Sequence, residues 1–354
     1  QGELVFTHIS DPSEMFQSSD SNGNRREFLD LIFNYNRNFN GHRVGGALKY
    51  TQDAFIRTQN LGDDLKNGVA SRNQALAGQI TYNWKLRYFL DFNFGYTGSE
   101  NFAVGHQYGF FPAFSTAWNI EWMNMFKVRY SYGKVGNDNL GDERFPYLYT
   151  IERGDNGGGG YQWADYAFNR SYGGIRFTQV ASPYVTWEVA TKNNLGVDLS
   201  LFADKLIANL DYFNDKREGI YMQRNFLPEI VGLESTPRAN VGAVSSQGFD
   251  GRVVFKQKVG DVDMTVRGNI TYSKNEILER DEENAVYPYQ MQKGYRVDQT
   301  RGLIALGLFK DYDDIRNSPV QQFGSYQPGD IKYKDVNGDG VIDGGDVVAV
   351  GATR

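Results

Sequence analysis

The chain has 354 residues, a net charge of −6 and no cysteine. It offers no basic surface for nucleic acid, and disulfides, thiolate metal sites and thiol nucleophiles are excluded. Glycine (40), tyrosine (23) and phenylalanine (24) are plentiful and proline (9) is scarce, which is a composition of sheets and turns rather than helices.

Period-two alternation recurs along the whole chain. In REFLDLIFNYNRNF, Leu29, Leu31, Phe33, Tyr35 and Phe39 alternate with Asp30, Asn34, Asn36 and Asn38. The next segment sets Val44, Leu48, Tyr50, Ala54 and Ile56 against Lys49, Thr51, Asp53 and Arg57. YFLDFNFGY aligns Tyr88, Leu90, Phe92, Phe94 and Tyr96; KVRYSYGK aligns Val128, Tyr130 and Tyr132. Leu195 to Leu201, Leu206 to Tyr212 and Met264 to Tyr272 repeat the pattern. Each segment runs to roughly 10 residues or more, the length a tilted strand needs to cross a bilayer. Strands of soluble sandwiches average only about 5–6 residues and need a dry second face. Here the second face carries Asp, Asn, Lys and Arg. The longest helix-like apolar run, GLIALGLF from Gly302, is far short of the roughly 18 residues of a membrane helix.

The connections alternate in length. Short links fall at Asn40-Gly41, near Lys85, at Glu121 to Asn124, at Ala203-Asp204 and at Val259 to Asp261. Long ones fall near 58–72, 98–106, 136–190 and 223–246, with everything from 276 to 354 following the last strand. Across ten predicted strands this is the habit of outer-membrane barrels, with tight periplasmic turns and extended extracellular loops. The fold expected is therefore all-β, an antiparallel transmembrane β-barrel. Pro112 in GFFPAFS cannot donate to a ladder and is expected to open a strand. No charged-then-apolar leader follows Gln1, and the chain reads as an excerpt of a longer one.

One motif points to a metal. DVNGDGVIDGGD, 335–346, matches an EF-hand-type calcium loop. Asp335, Asn337, Asp339, the Val341 carbonyl, Asp343 and Asp346 take the ligand positions, and Gly340 takes the sharp turn. The flanking IKYK and VVAV are strand-like, which argues against a regulatory EF-hand pair; the plain alternative is an acidic turn that binds nothing. Calcium is expected as a structural ion of an extracellular loop. In GDNGGGGYQWADYAFNR, Tyr161, Trp163 and Tyr166 are candidates to stack on a sugar or peptide. A surface loop whose aromatics pack on neighbouring loops carries more weight there. His8, His42 and His106 show no metal spacing, and acid clusters at 281–283 and 311–314 read as solvated loops, although a glycosidase pair could hide in them. Nothing argues for an enzyme.

Several stretches resemble the SusC/RagA family of TonB-dependent outer-membrane transporters. They are YGFFPAFSTAWNI with FKVRYSYGKVGND, the hairpin YVTWEVATKNNLGVDLSLFADKLIANLDYFNDKREGIYM, and GLFKDYDDIRNSPVQ followed by PGDIKYKDVNGDGVIDGGDVVAVG. The resemblance implies residues 1–354 to be part of a barrel of about 22 strands, whose plug and TonB box lie outside this chain. It implies a SusD-like surface lipoprotein as lid, energy from TonB–ExbB–ExbD through the missing N-terminal part, and uptake of glycan oligosaccharides or peptides across the outer membrane of a Gram-negative bacterium. A secreted carbohydrate-binding or hydrolytic module with a dockerin-like calcium loop is the alternative, and a non-transporting adhesin barrel is a third reading.

Overall fold

The computed structural model describes residues 23–57, 65–120, 125–141, 143–153, 161–165, 168–172, 174–225, 230, 236–283 and 285–351. Six long strands come first: β1 (Asn24–Phe39), β2 (His42–Arg57), β3 (Ser71–Trp84), β4 (Tyr88–Ser99), β5 (Tyr108–Ile120) and β6 (Met125–Asn137). An excursion follows with β7 (Thr150–Arg153), β8 (Tyr161–Asp165), β9 (Phe168–Tyr172) and β10 (Ile175–Gln179), which pair as β7 with β10 and β8 with β9. The chain then returns through β11 (Glu188–Leu201), β12 (Leu206–Gln223), β13 (Arg238–Val259) and β14 (Val262–Glu279). A terminal lobe holds β15 (Arg301–Gly302), β16 (Ala305–Leu308), α1 (Tyr312–Arg316), β17 (Val320–Gln321), β18 (Ile331–Tyr333), β19 (Val341–Ile342) and β20 (Val348–Ala349).

The ten long strands form one sheet in the order β1-β2-β3-β4-β5-β6-β11-β12-β13-β14, antiparallel throughout. They fall where the alternation places them. The Asn40-Gly41 turn has φ of 46° and 79° at its two central residues, as a type I′ hairpin requires. The sheet is not closed among the described residues, with β1 and β14 at its edges. Among those residues no helix is long and apolar enough to cross a membrane.

Register converts alternation into two faces. One line of Cα partners joins Phe39, His42, Trp84, Tyr88 and Trp118 across β1 to β5. Their rings stack one on the next, with centroids 5.6, 6.0, 5.7 and 6.1 Å apart. Nearer the long links, a second line joins Tyr130, Leu195, Tyr212, Phe249 and Tyr272 across β6 to β14. Beyond it come Asn193, Asn214, Gln247 and Lys274. The first line continues by register through Trp118↔Val128 into Val128, Val197, Leu210 and Ile270, one step from the second toward the short turns, and Leu199, Ala208 and Val253 follow. An apolar band edged by aromatic girdles is the surface of a barrel in lipid. Its large side chains are exposed, as Leu210, Ile270 and Phe92 show, because their partner is the bilayer. The girdle of β1–β5 continues by register into the middle of the band on β6–β14, the drift expected when strands tilt against the membrane plane.

Pro112 does not open a strand. It is interior to β5, opposite Phe94 of β4, and the β5–β6 ladder begins one residue later at Ala113↔Gly133. A residue without an N–H is tolerated where a ladder ends. Beyond that point β5 and β6 part, and the Phe111 ring fills the gap against Trp187 at 5.2 Å. Around them Phe102, Leu140, Val185 and Trp187 form a buried cluster with Val189 and Tyr221, sealing the long-link end of the wall.

Candidate functional site

The face opposite the apolar band is largely polar, and several of its charges are matched in pairs. Arg26 binds Asp53 at 2.7 Å, Lys49 meets Asp30 at 3.1 Å and Lys192 meets Asp215 at 3.3 Å. Arg217 pairs with Glu188. The densest group spans β6, β11 and β12. The Arg129 guanidinium donates to both oxygens of Asp198, at 2.9 and 3.0 Å, and to Asp211 at 3.0 Å. Asn209 adds a bond to Asp198 at 2.9 Å. Gly196 is the Cα partner of both Arg129 and Asp211. A Cβ there would lie 2.5 Å from the Asp211 Oδ1 and 2.7 Å from the Arg129 Cζ, so the guanidinium crosses β11 through the space a side chain would fill. Nearby, Lys127 sits over the Phe89 ring at 5.1 Å. Sequence alternation alone puts Arg129, Asp198 and Asp211 on this face; their meeting depends on register.

The long links are tied down by side chains that alternation does not reveal. The Asn240 Oδ1 accepts from Thr186 N at 2.8 Å, and its Nδ2 donates to the carbonyls of Thr186 and Gly219, at 2.9 and 2.7 Å. This fastens the approach to β11 onto the bulge of β12. The buried Gln179 amide donates to the carbonyls of Phe145 and Leu148, while Arg144 donates to the carbonyls of Lys66 and Val69 at 3.0 and 2.9 Å. The β2–β3 and β6–β11 links are thereby latched together.

The calcium-type residues sit in one coiled loop of the terminal lobe. Asp335 accepts from the N–H groups of Gly338 and Gly340, Asp339 from Val341, and Asp343 from Gly345. Asp346 is fully buried and accepts from Val336 at 2.7 Å and Asp343 at 3.1 Å. Asn337 Nδ2 reaches Asp339 at 2.9 Å and the Tyr287 hydroxyl at 3.1 Å. Among the described residues no three Asp, Glu or His side chains converge as a ready-made metal cage. The donor set itself, four carboxylates, one amide and one carbonyl, suits a hard cation, and each carboxylate oxygen bonded to an N–H keeps a further lone pair. No helix flanks the loop; β18 precedes it and β20 follows.

A tyrosine pair backs this loop. Tyr287 and Tyr289 stack at 5.4 Å, the Tyr289 hydroxyl donates to the Gly345 carbonyl at 2.6 Å and Gln290 donates to that of Gly344 at 2.9 Å. Partial burial, then the Tyr287 ring and the charges of Asp346, Asp339 and Asp335, push the Tyr289 hydroxyl above its usual pKa. Arg301 holds the same segment through the carbonyls of Tyr289, Gln290 and Met291.

Tyr161 and Trp163 lie in the β8–β9 hairpin, opposite Tyr172 and Arg170; Tyr166 lies outside the described residues, as does His8. His42 shares a hydrogen bond with the Tyr82 hydroxyl at 2.8 Å, and His106 packs edge-on against Tyr184. The acid clusters have structural partners: Arg224 binds Asp281, Glu282 accepts from the N–H groups of Gln292 and Lys293, Asp311 caps α1, and Lys332 binds Asp314.

No family model matches the chain. Among curated proteins it is 25% identical to the TonB-dependent receptor P39 of Formosa agariphila, over 88% of this chain and 35% of that protein. TonB-dependent receptor P3 of the same organism is 24% identical, over 77% of this chain and 28% of its own length. Among solved structures, the RagAB peptide importer in its closed-closed state matches with a TM-score of 0.65 at 12% identity, over 92% of this chain and 38% of that one. The chain spans about a third of the length of these relatives. Girdled band and polar inner face define a segment of an outer-membrane β-barrel wall, similar in sequence to the TonB-dependent receptors and sharing the fold of the RagAB importer. Its place is the outer membrane.

Proposed function

We propose that this chain forms part of the wall of a TonB-energised importer that carries glycan oligosaccharides, or peptides, across the outer membrane without catalysing a reaction. The observation that carries the reading is the two-faced sheet, apolar and girdled on one side and lined on the other by matched charges such as Arg129 with Asp198 and Asp211. Charges paired in this way present hydrogen-bonding groups to cargo without trapping it electrostatically. A SusD-like lipoprotein would cover the long links, and TonB–ExbB–ExbD would act through parts of the protein beyond this chain. Calcium would brace the 335–346 loop through Asp335, Asn337, Asp339, Val341, Asp343 and Asp346, supplying positive charge to a loop of four carboxylates. Tyr161, Trp163 and Tyr166 are proposed contacts for cargo at the loop rim. A secreted module with a dockerin-like loop would need its apolar face covered by protein; the ten-stranded sheet leaves that face open.

The test uses the full-length parent protein, tagged in its native cell. Outer membranes are isolated and extracted in mild detergent, co-purifying proteins are identified, and uptake of labelled oligosaccharides and peptides is compared with a strain lacking the gene. A lipoprotein partner and loss of uptake of one cargo class support the reading. A soluble secreted product, or unchanged uptake of both classes, overturns it.

A further inference from the structure

The outward face holds a groove on the side of the sheet opposite the polar face. Where β1 to β5 leave the apolar band on the long-link side, the surface is hollowed into a cavity of about 440 Å³. Register places Leu29, Gln52, Gln74, Gly98 and Tyr108 on one line across the five strands. These positions share the parity of the lipid-facing side chains. The adjacent line toward the membrane is Leu31, Tyr50, Leu76, Tyr96 and Phe110, the last apolar row of the band on these strands. The groove therefore opens at the depth where acyl chains give way to headgroups, on the side of the long loops, which in such barrels faces outward from the cell.

Its lining has a definite chemistry. Gly98 leaves the floor bare, and the Tyr108 ring lies flat on it: a Cβ at Gly98 would stand 2.5 Å from the ring. That ring also stacks on Tyr96 at 5.1 Å and stays 46% exposed. The Gln74 amide donates to the Tyr108 hydroxyl, and the Gln52 amide to that of Tyr50 at 2.6 Å. All three acids that line it are matched, Glu100 by Arg72 at 3.5 Å, Asp53 by Arg26 at 2.7 Å and Glu27 by Arg25. Amides, a phenol, matched charges and a half-exposed flat ring suit a neutral ligand with many hydroxyls and one apolar face. A bare phosphate would instead call for cations without carboxylate partners.

We infer that this groove binds the saccharide headgroup of an outer-leaflet glycolipid, held at its headgroup by Gln52, Gln74 and Tyr108 while its acyl chains lie along the apolar rows below. This rests on the membrane placement alone and is independent of the cargo. The test takes full-length parent protein extracted from its own outer membrane and measures retained glycolipid by native mass spectrometry, which reads from its mass whether the headgroup is a neutral saccharide. Wild type should keep the glycolipid, and Gln74→Leu and Tyr108→Ala should each lower retention by at least about tenfold, as expected for a lost polar partner. Gln52→Leu, at an exposed position where folding tolerates the change, should lower it too. The saccharide of that glycolipid freed of its acyl chains, added at matched concentration, should leave the bound lipid in place. Equal retention by all three variants would overturn the proposal. So would displacement by the lipid-free sugar, which would mark a subsite for soluble saccharide.

Discussion

At Gly196 a hydrogen atom decides whether three strands share one ion group. Alanine there would push a methyl toward Arg129 and Asp211, both held by the pairing of β6 and β12 against β11. The expected cost is about 1–3 kcal/mol, as for overpacking elsewhere, read as a lower unfolding midpoint of the parent barrel in detergent. An unchanged midpoint would show that the guanidinium does not depend on crossing at that point. A second residue-scale prediction concerns Tyr289. Its hydroxyl is held high by partial burial and by the acids of the 335–346 loop. Calcium in that loop would offset those charges and bring the tyrosine's pKa down toward its ordinary value. A tyrosinate titration should therefore shift to lower pH when calcium is added, and Asp346→Asn should abolish the shift. Identical curves with calcium and with chelator would remove calcium from the loop.

At the scale of elements, the ten strands were legible because lipid and water impose opposite demands on alternate residues. LIANLDYF carries its place in its own pattern, with Leu210 and Tyr212 outward and Asn209 and Asp211 inward. Pro112 was not legible in this way. Its tolerance depends on where the β5–β6 ladder stops, and that is set by Phe111 packing on Trp187 from a link some 70 residues further on. The calcium-type loop could be read as a spacing, whereas its Tyr287–Tyr289 backing joins segments about 50 residues apart. The rim latches were invisible for the same reason, since Asn240 is an ordinary polar residue until register brings it to Thr186. Asn240→Ala removes three hydrogen bonds at that junction, at about 0.5–1.5 kcal/mol each. Hydrogen exchange at Thr186, Trp187 and Gly219 should speed up selectively, with the centres of β11 and β12 unchanged. Uniform acceleration along both strands would mean that Asn240 supports the wall itself rather than its rim.

On the scale of the whole molecule, the chain has few buried apolar residues because its largest apolar surface is built for lipid. Several charges of the inner face pair with one another, and the long-link end is closed by the Phe102–Trp187 cluster and its latches. Everything proposed about transport, lid and cargo depends on the sheet having one face in lipid and the other in an aqueous lumen. This chain has no cysteine, so labels introduced in it can be read singly once any cysteine elsewhere in the parent is replaced. Single cysteines placed in the full-length parent at each position from 207 to 213 of β12, spin-labelled in native outer membranes, report local access to oxygen dissolved in lipid and to a polar relaxing agent in water. Labels at Ala208, Leu210 and Tyr212 should favour oxygen, and those at Ile207, Asn209, Asp211 and Phe213 should not, giving a period of two along the strand. Equal access of the polar agent to both sets would contradict a wall in the membrane.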